Sequence, residues 1–568
     1  MRAALVKAVT SIFALRLVEF SLAAANYGVA GVVVDSQSQT PLANVRVSLA
    51  PTTKRDQKLE QVTKQDGRFS FGVDEAGKYT LRIAKPGYPP QSYRQAGFSG
   101  VSSAIAVGDD QDTRQIVFPA NRGGVISGQI KDEDSEPVGN ALVAIFQAVV
   151  QAGERRLIRR GQMRANAAGE FRFANLARGS YYVCAMGRPW FADSLIQLQQ
   201  LHDPSRRLTL NRRFTPGDQT GRPAVEPPSP DPNVRGTAFM TTFYPSAQTI
   251  EEASAVSLGA GSKAQVSITL PLAKAVTVKG SIGLGSETSG GHANLVKKID
   301  GQAMSFLEQG VGKDGTFEFR NVPAGVYEIE AASQSSSGPS SWTIRQDVAV
   351  GAADMEVALK PPNMGSLSGR VILSGAAAPL PANAFVSLRD EKGIVARAEV
   401  GADGSFSLSR LPPGKYEVTA AFNDYIAAYL TGLGREHLPL TVEIAPGVAG
   451  RRDLTMARAA SVIQGTVQKG GSSKVGAFVL LMPKDPAQRW AYRVDQTDSD
   501  GSYRLATISS GDYFLVALTE GSEIAYRDPK IASILIGIAK PVNVEPNDRL
   551  ELNLDIVDTA TLNLAQLR

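Results

Sequence analysis

Asp314-Gly315-Thr316-Phe317-Glu318-Phe319, with Gly325-Val326-Tyr327 six residues further on, is one of five copies of a phrase whose spacing never varies. A turn ends in Gly67, Gly169, Gly315, Gly404 and Gly501. Two positions later stands an aromatic residue: Phe69, Phe171, Phe317, Phe406 and Tyr503. Ten positions after the first glycine comes a second (Gly77, Gly179, Gly325, Gly414, Gly511), and a tyrosine follows two positions beyond it (Tyr79, Tyr181, Tyr327, Tyr416, Tyr513). Three fixed offsets in five copies mark a tandem array of one small unit.

Each copy reads as a β-hairpin. Asp-Gly is a turn signal, because glycine accepts positive φ and aspartate can bond its own backbone. Beyond the turn, Phe317 and Phe319 alternate with Thr316 and Glu318, the period of a strand with one face buried. After the second turn, Tyr416, Val418 and Ala420 alternate with Lys415, Glu417 and Thr419. This pattern predicts one face for a core and one for water.

Upstream lies a second recurring element, apolar-x-Gly-x-apolar. Its copies centre on Gly31, Gly128, Gly280, Gly369 and Gly465. A glycine fixed inside a strand signals a bulge or a close backbone approach. With a Pro-containing turn, the strand after it and the closing strands, each copy has about seven short strands in roughly 90–100 residues, as in a Greek-key β-sandwich.

The fold class is therefore all-β: a string of five Greek-key β-sandwiches. The expected boundaries are 26–121, 122–273 with an insertion at 187–240, 274–362, 363–458 and 459–557, with a tail at 558–568. A length of 568 residues is too great for one core, and 54 glycines with 32 prolines suit many turns. Lys360-Pro361-Pro362 suggests restricted bending at one junction. No helical period longer than a few turns stands out after residue 25.

Met1–Ala25 reads as a secretory signal: Arg2 and Lys7 precede an apolar run, and Ala23-Ala24-Ala25 supplies a small-x-small cleavage pattern. Arg16 and Glu19 interrupt that run, so an amphipathic N-terminal helix is the alternative. No uninterrupted stretch of ~20 apolar residues spans a membrane. The expected location is periplasmic, outer-membrane-associated or extracellular. One cysteine, Cys184, excludes internal disulfides; it belongs on the strand face opposite Tyr181 and Val183.

The succession of strand, Pro turn, strand, Asp/Asn-x-Gly-x-Phe-x-Phe and Pro-x-Gly-x-Tyr resembles the carboxypeptidase regulatory-like domain, a transthyretin-like sandwich. Pro119 to Val143 is similar to the opening strands of that domain in bacterial envelope proteins, and Thr242-Phe-Tyr-Pro-Ser with Ala253 to Gly261 to its later part. The resemblance implies the fold and a non-catalytic accessory or scaffold role. By analogy with starch-binding-like sandwiches it also implies carbohydrate recognition.

The residues themselves argue against an enzyme. Zinc hydrolysis needs clustered imidazole or carboxylate ligands, whereas His202, His292 and His437 lie in three different repeats. No catalytic triad, phosphate loop or cofactor motif is visible, so catalytic, metal and cofactor sites are all expected to be none. Asp495, Asp498 and Asp500 are spaced like the start of a calcium loop, but no glutamate completes it, and turn chemistry accounts for them. Basic residues clustered at Arg155–Arg164 read as solvated surface, and with a net charge of +5 no nucleic-acid partner is expected. For ligand binding the residues singled out are Trp190 and Trp342, because rings at loop edges can stack on sugars. The expected partners are polysaccharide or cell-envelope components, with a peptidase-associated subunit as the third reading.

Overall fold

A computed structural model describes residues 27–562 apart from 55, 96–100, 110, 112, 188–235, 283–287, 313, 336–342, 361–362, 375–383, 391–392, 423–424, 427, 431–440, 458–460, 487 and 489–490. The regular structure of these residues is nearly all β, with one α-helix among them.

The first repeat shows the plan. Its strands are β1 (Tyr27–Asp35), β2 (Arg46–Pro51), β3 (Leu59–Val62), β4 (Arg68–Val73), β5 (Gly77–Lys85), β6 (Tyr88–Ser92), β7 (Ile105–Val107) and β8 (Ile116–Ala120). One sheet has the order β4-β1-β8, with β1 and β8 parallel; the other runs β3-β2-β5, and β5 also pairs with β6 and β7. Val29, Val47, Phe69, Tyr79, Leu81 and Phe118 meet between them. Around each later copy of the phrase the same pairing recurs, with its own apolar cluster.

The invariant residues now have physical reasons. All five turn glycines have positive φ (67, 72, 80, 83 and 78°), where a Cβ is strained. Each glycine carbonyl accepts a hydrogen bond from the leading strand (Val33, Ile130, Ile282, Val371, Val467) at 2.8–3.0 Å, tying hairpin to sheet. Each phrase tyrosine donates its hydroxyl to the carbonyl four residues upstream (Glu75, Ala177, Pro323, Pro412, Ser509) at 2.6–3.0 Å. The ring thus fills the core while its polar tip closes the turn. The strand glycines pair with the phrase aromatic in every copy, Gly31 with Phe69 through Gly465 with Tyr503. A Cβ there would collide with the parallel neighbour's carbonyl or, at Gly280, with the Phe317 ring. Close approach is thus the reason for these glycines.

Two expectations need correction. First, the hairpins of repeats 2 and 5 are apolar on both faces. Tyr181, Val183 and Ala185 enter the sandwich core, while Cys184 and Met186 join Ala144, Phe146, Phe243, Ile299 and Met304 in a second cluster shared with repeat 3. In Phe478–Pro483 every residue is buried, the mark of a strand covered on both sides. Second, a ten-residue helix, α1 (Pro529–Ile538), covers that outer face of repeat 5, burying Ile531, Ala532 and Leu535. Asp528 caps it by accepting from the amides of Lys530 and Ile531, and Pro529 opens the first turn. Thr237–Phe239, inside the expected insertion, pairs with Leu272–Lys274 at the start of the strand Leu272–Ile282, which spans the expected boundary of repeats 2 and 3. Repeat 5 packs back on repeats 1 and 2, an arrangement on which the sequence is silent. The Lys360-Pro361-Pro362 junction lies partly outside the described residues.

Candidate binding cleft

The turn of repeat 5, Asp498–Gly501, makes the first contact across the chain. Like its four counterparts it closes with the glycine amide bonded to the residue three back. Only this copy places an acid there; the others have Lys64, Asn166, Gly312 and Gly401. The Asp498 carboxylate accepts from the Ala104 amide at 2.7 Å and from the Lys78 amine, which also reaches the Ser502 hydroxyl at 2.9 Å. Ser499 donates its amide to the Ala104 carbonyl at 3.0 Å and accepts the Ala106 amide on its hydroxyl at 2.8 Å. Ser103 donates to the Thr497 carbonyl at 2.8 Å, and Gln496 to the Arg94 carbonyl at 2.5 Å. Burial pushes the Asp498 carboxyl up from its ordinary value, and Lys78 and the Ala104 amide oppose that rise.

A second contact runs from repeat 5 to repeat 2. Arg527 donates its amide to the Gly153 carbonyl at 3.1 Å, and its guanidinium meets Glu154 at 3.3 Å. Tyr526 packs over Gly153, where a Cβ would strike its ring. Val101 of repeat 1 and Val150 of repeat 2 complete the apolar cluster around Phe478, Leu480, Tyr526 and Leu535.

The junction of repeats 1 and 2 is pinned by Asp35, only 1% exposed. Its carboxylate takes Arg122 Nε at 2.5 Å and the Tyr88 hydroxyl at 2.8 Å, besides the amides of Gln37 and Ser38 at 3.0 Å. Burial alone would raise this carboxyl, but the Ser38 amide, Arg122 and Tyr88 together hold it well below the carboxylate range. At the junction of repeats 2 and 3, burial pushes the Cys184 thiol up to about 12, so it is an inert apolar group there.

These contacts enclose a cleft of about 1010 Å³. Its walls are the β6 end of repeat 1 (Pro89 to Gln95), the Asn121–Arg122 junction, the outer faces of repeat 2 (Gln147–Val150, Arg155–Leu157, Ala177–Ser180), Asp300 of repeat 3, and Ser522 and Glu523 of repeat 5. The arginines read as plain surface at Arg155 and Arg156 therefore line a concavity built from four repeats.

Trp190 and Trp342 lie outside the described residues, as do Trp490, His202 and His437. His292 is exposed on the strand Thr288–Ile299. Among the described residues no three His, Cys, Asp or Glu side chains gather to hold a metal, and no helix is long and apolar enough to cross a membrane. The acids near Gly501 have other work: Asp495 accepts from the Arg504 amide, Asp498 docks repeat 1, and Asp500 accepts from the Ser502 amide and hydroxyl. The sequence reading overlooked Lys78, Ser103 and Ala104 altogether. A signal for half of this interface existed in the lone acid three residues before Gly501 and in the two-faced apolar strands of repeat 5.

Residues 28–117 match the model of the carboxypeptidase regulatory-like domain, so the first sandwich is a domain of that family. No curated protein matches the chain. Among solved structures it is similar to the TIE protein of Bacillus anthracis, at 11% identity over 76% of this chain and 69% of that one, TM-score 0.16. It is also similar to the minor pilin of Streptococcus agalactiae, at 14% identity over 32% of this chain and 96% of that one, TM-score 0.21. The major pilin subunit of Bacillus cereus has 11% identity over 59% of this chain and 99% of that one, TM-score 0.12.

Proposed function

We propose that this chain is a non-catalytic, exported scaffold of five carboxypeptidase regulatory-like sandwiches, divided at the boundaries given above and closed on itself. Its recognition surface is the cleft among repeats 1, 2, 3 and 5. The observation that carries this reading is the buried docking of the Asp498 turn on Lys78 and Ala104, which fixes the cleft's walls. A scaffold needs rigid geometry rather than reactive groups, and the described residues offer buried hydrogen bonds at the repeat junctions. Export is supported by the leader-like Met1–Ala25.

Small-angle scattering of the full chain tests the closure. A closed particle has a radius of gyration near the compact expectation of roughly 25 Å, raised somewhat by its multi-domain outline. A five-unit rod would lie far above that and would sink the proposal. A polysaccharide pull-down with Trp190→Ala and Trp342→Ala checks the contact role their position suggests; undiminished binding removes both from the site.

A further inference from the structure

We propose that the cleft binds an acidic polysaccharide through its uronate carboxylates, an inference that rests on the closed scaffold described above. Arg94, Arg122, Arg155, Arg156 and Arg178 line it, against the carboxylates of Glu251, Asp300 and Glu523. Guanidinium groups outnumber carboxylates in the lining, with Arg122 paired to Asp35 and Arg156 to Glu154 at its margin, and guanidinium is the group that grips a carboxylate with two parallel hydrogen bonds.

Two of these arginines are held in place before any ligand arrives. Arg122 is anchored through Nε to buried Asp35, and its guanidinium lies 5.9 Å from the Tyr88 ring centre, yet 52% of its side chain stays exposed. Arg94 sits 5.7 Å from the Tyr93 ring centre. Fixing a side chain beforehand removes part of the entropy cost of binding.

Charge density separates this ligand from a nucleic acid. A duplex presents one phosphate per ~1.7 Å, which calls for unbroken cationic walls. Here the three carboxylates interrupt the arginines, and a polymer with one carboxylate per sugar ring can pass them. The rest of the lining suits sugar better than an acidic peptide. The amide side chain of Asn121 matches hydroxyl groups, while Pro89, Pro90 and Tyr182 offer flat apolar surface for ring faces. A volume of about 1010 Å³ stands at the top of the small-molecule range, so a short stretch of polymer fits better than a single sugar.

The test is calorimetric titration of the full chain with polygalacturonate fragments, neutral dextran and poly-L-glutamate, with scattering recorded on the same samples. Saturable binding to polygalacturonate is expected, weakening as salt rises and at least ~10-fold tighter than to either other polymer. The double variant Arg155→Glu, Arg178→Glu should lose about 10-fold or more in affinity while scattering stays unchanged, and Arg451→Glu on repeat 4 should bind like the parent. Equal binding to poly-L-glutamate would make the site a peptide groove, and equal binding to dextran would remove the arginines from recognition. Either result overturns the proposal, as does an unaffected double variant or no saturable binding. A particle that is closed but does not bind defeats the ligand alone; an open particle defeats the scaffold reading and the site with it.

Discussion

Asp498→Ala removes the carboxylate on which repeat 5 hangs from repeat 1, and the structure lets its cost be apportioned. The Ala104 amide, which meets that carboxylate at 2.7 Å, would be left without its acceptor, and a buried donor so stranded costs about 1–3 kcal/mol. Lys78 loses its ion pair but keeps the Ser502 hydroxyl, and 35% of its side chain is exposed, so solvent absorbs most of that loss. Burying Asp498 was itself unfavourable, as the raised carboxyl shows, and this offsets part of the penalty. The net change is about 1–2 kcal/mol against docking, or roughly a 5- to 30-fold larger undocked population. Hydrogen exchange reads it directly, because the amides of Ala104 and Ser499 are bonded only across the repeat 1–repeat 5 boundary. Both should exchange faster by about that factor, while amides inside the sandwich sheets keep their protection. Asp498→Asn retains an acceptor and should cost less. Unchanged exchange at Ala104 and Ser499, or equal acceleration throughout the cores, would refute the account.

Further outcomes follow from other residues. Burial pushes the Asp495 carboxyl up to about 6, against the opposing Arg504 amide, so the folded chain holds this proton more tightly than an unfolded chain at 3.8. Its contribution is present below the lower value and lost as pH rises through about 6, and Asp495→Asn should flatten that part of a melting-temperature profile. Asp35 runs the other way: its carboxyl is depressed, so its contribution exists above the ordinary carboxylate range and disappears in acid, and Asp35→Asn should remove that acid-side loss. Gly280→Ala drives a methyl into the Phe317 ring and should destabilise repeat 3 by about 1–3 kcal/mol in denaturant unfolding. Tyr327→Phe deletes a buried 3.0 Å hydrogen bond to the Pro323 carbonyl and should cost roughly 1–2 kcal/mol, most of it from the unpaired carbonyl.

Within each sandwich the sequence was almost fully readable, because every rule that shapes the unit is local or recurs. Turn glycines, alternating strands and the Gly-x-Tyr corner each constrain a few neighbouring positions, and five copies average away the noise. The cleft was not readable in this way. Its arginines come from Arg94, Arg122, the Arg155–Arg156 pair and Arg178, which only the meeting of several repeats brings together. Helix α1 escaped for a different reason: Ile531-Ala-Ser-Ile-Leu-Ile-Gly-Ile538 is apolar enough to pass for a buried strand, and its Asp-Pro start also reads as a turn.

What distinguishes repeats 2 and 5 from the others is visible at a single strand position. Outward-facing sites that carry Arg82 and Glu330 in repeats 1 and 3 carry Cys184 and Val516 in repeats 2 and 5. A charged residue there keeps a sheet face in water, whereas an apolar one requires a cover. Repeat 2 finds its cover in Ile299 and Met304 of repeat 3, and repeat 5 in α1 with Val101 and Val150. Burying a side chain such as Leu480, Met482 or Leu518 yields roughly 1.5–3 kcal/mol each. Most of that burial lies under α1, Val101 and Val150 extend it to repeats 1 and 2, and non-directional burial cannot set the orientation of repeat 5. The buried polar contacts at Asp498, Ser103 and Gln496 supply that orientation, since leaving any of them unpaired costs more than forming it gains. Apolar contact therefore favours the meeting of repeat 5 with repeats 1 and 2, and the hydrogen bonds decide how, which is why the walls of the cleft have a fixed shape.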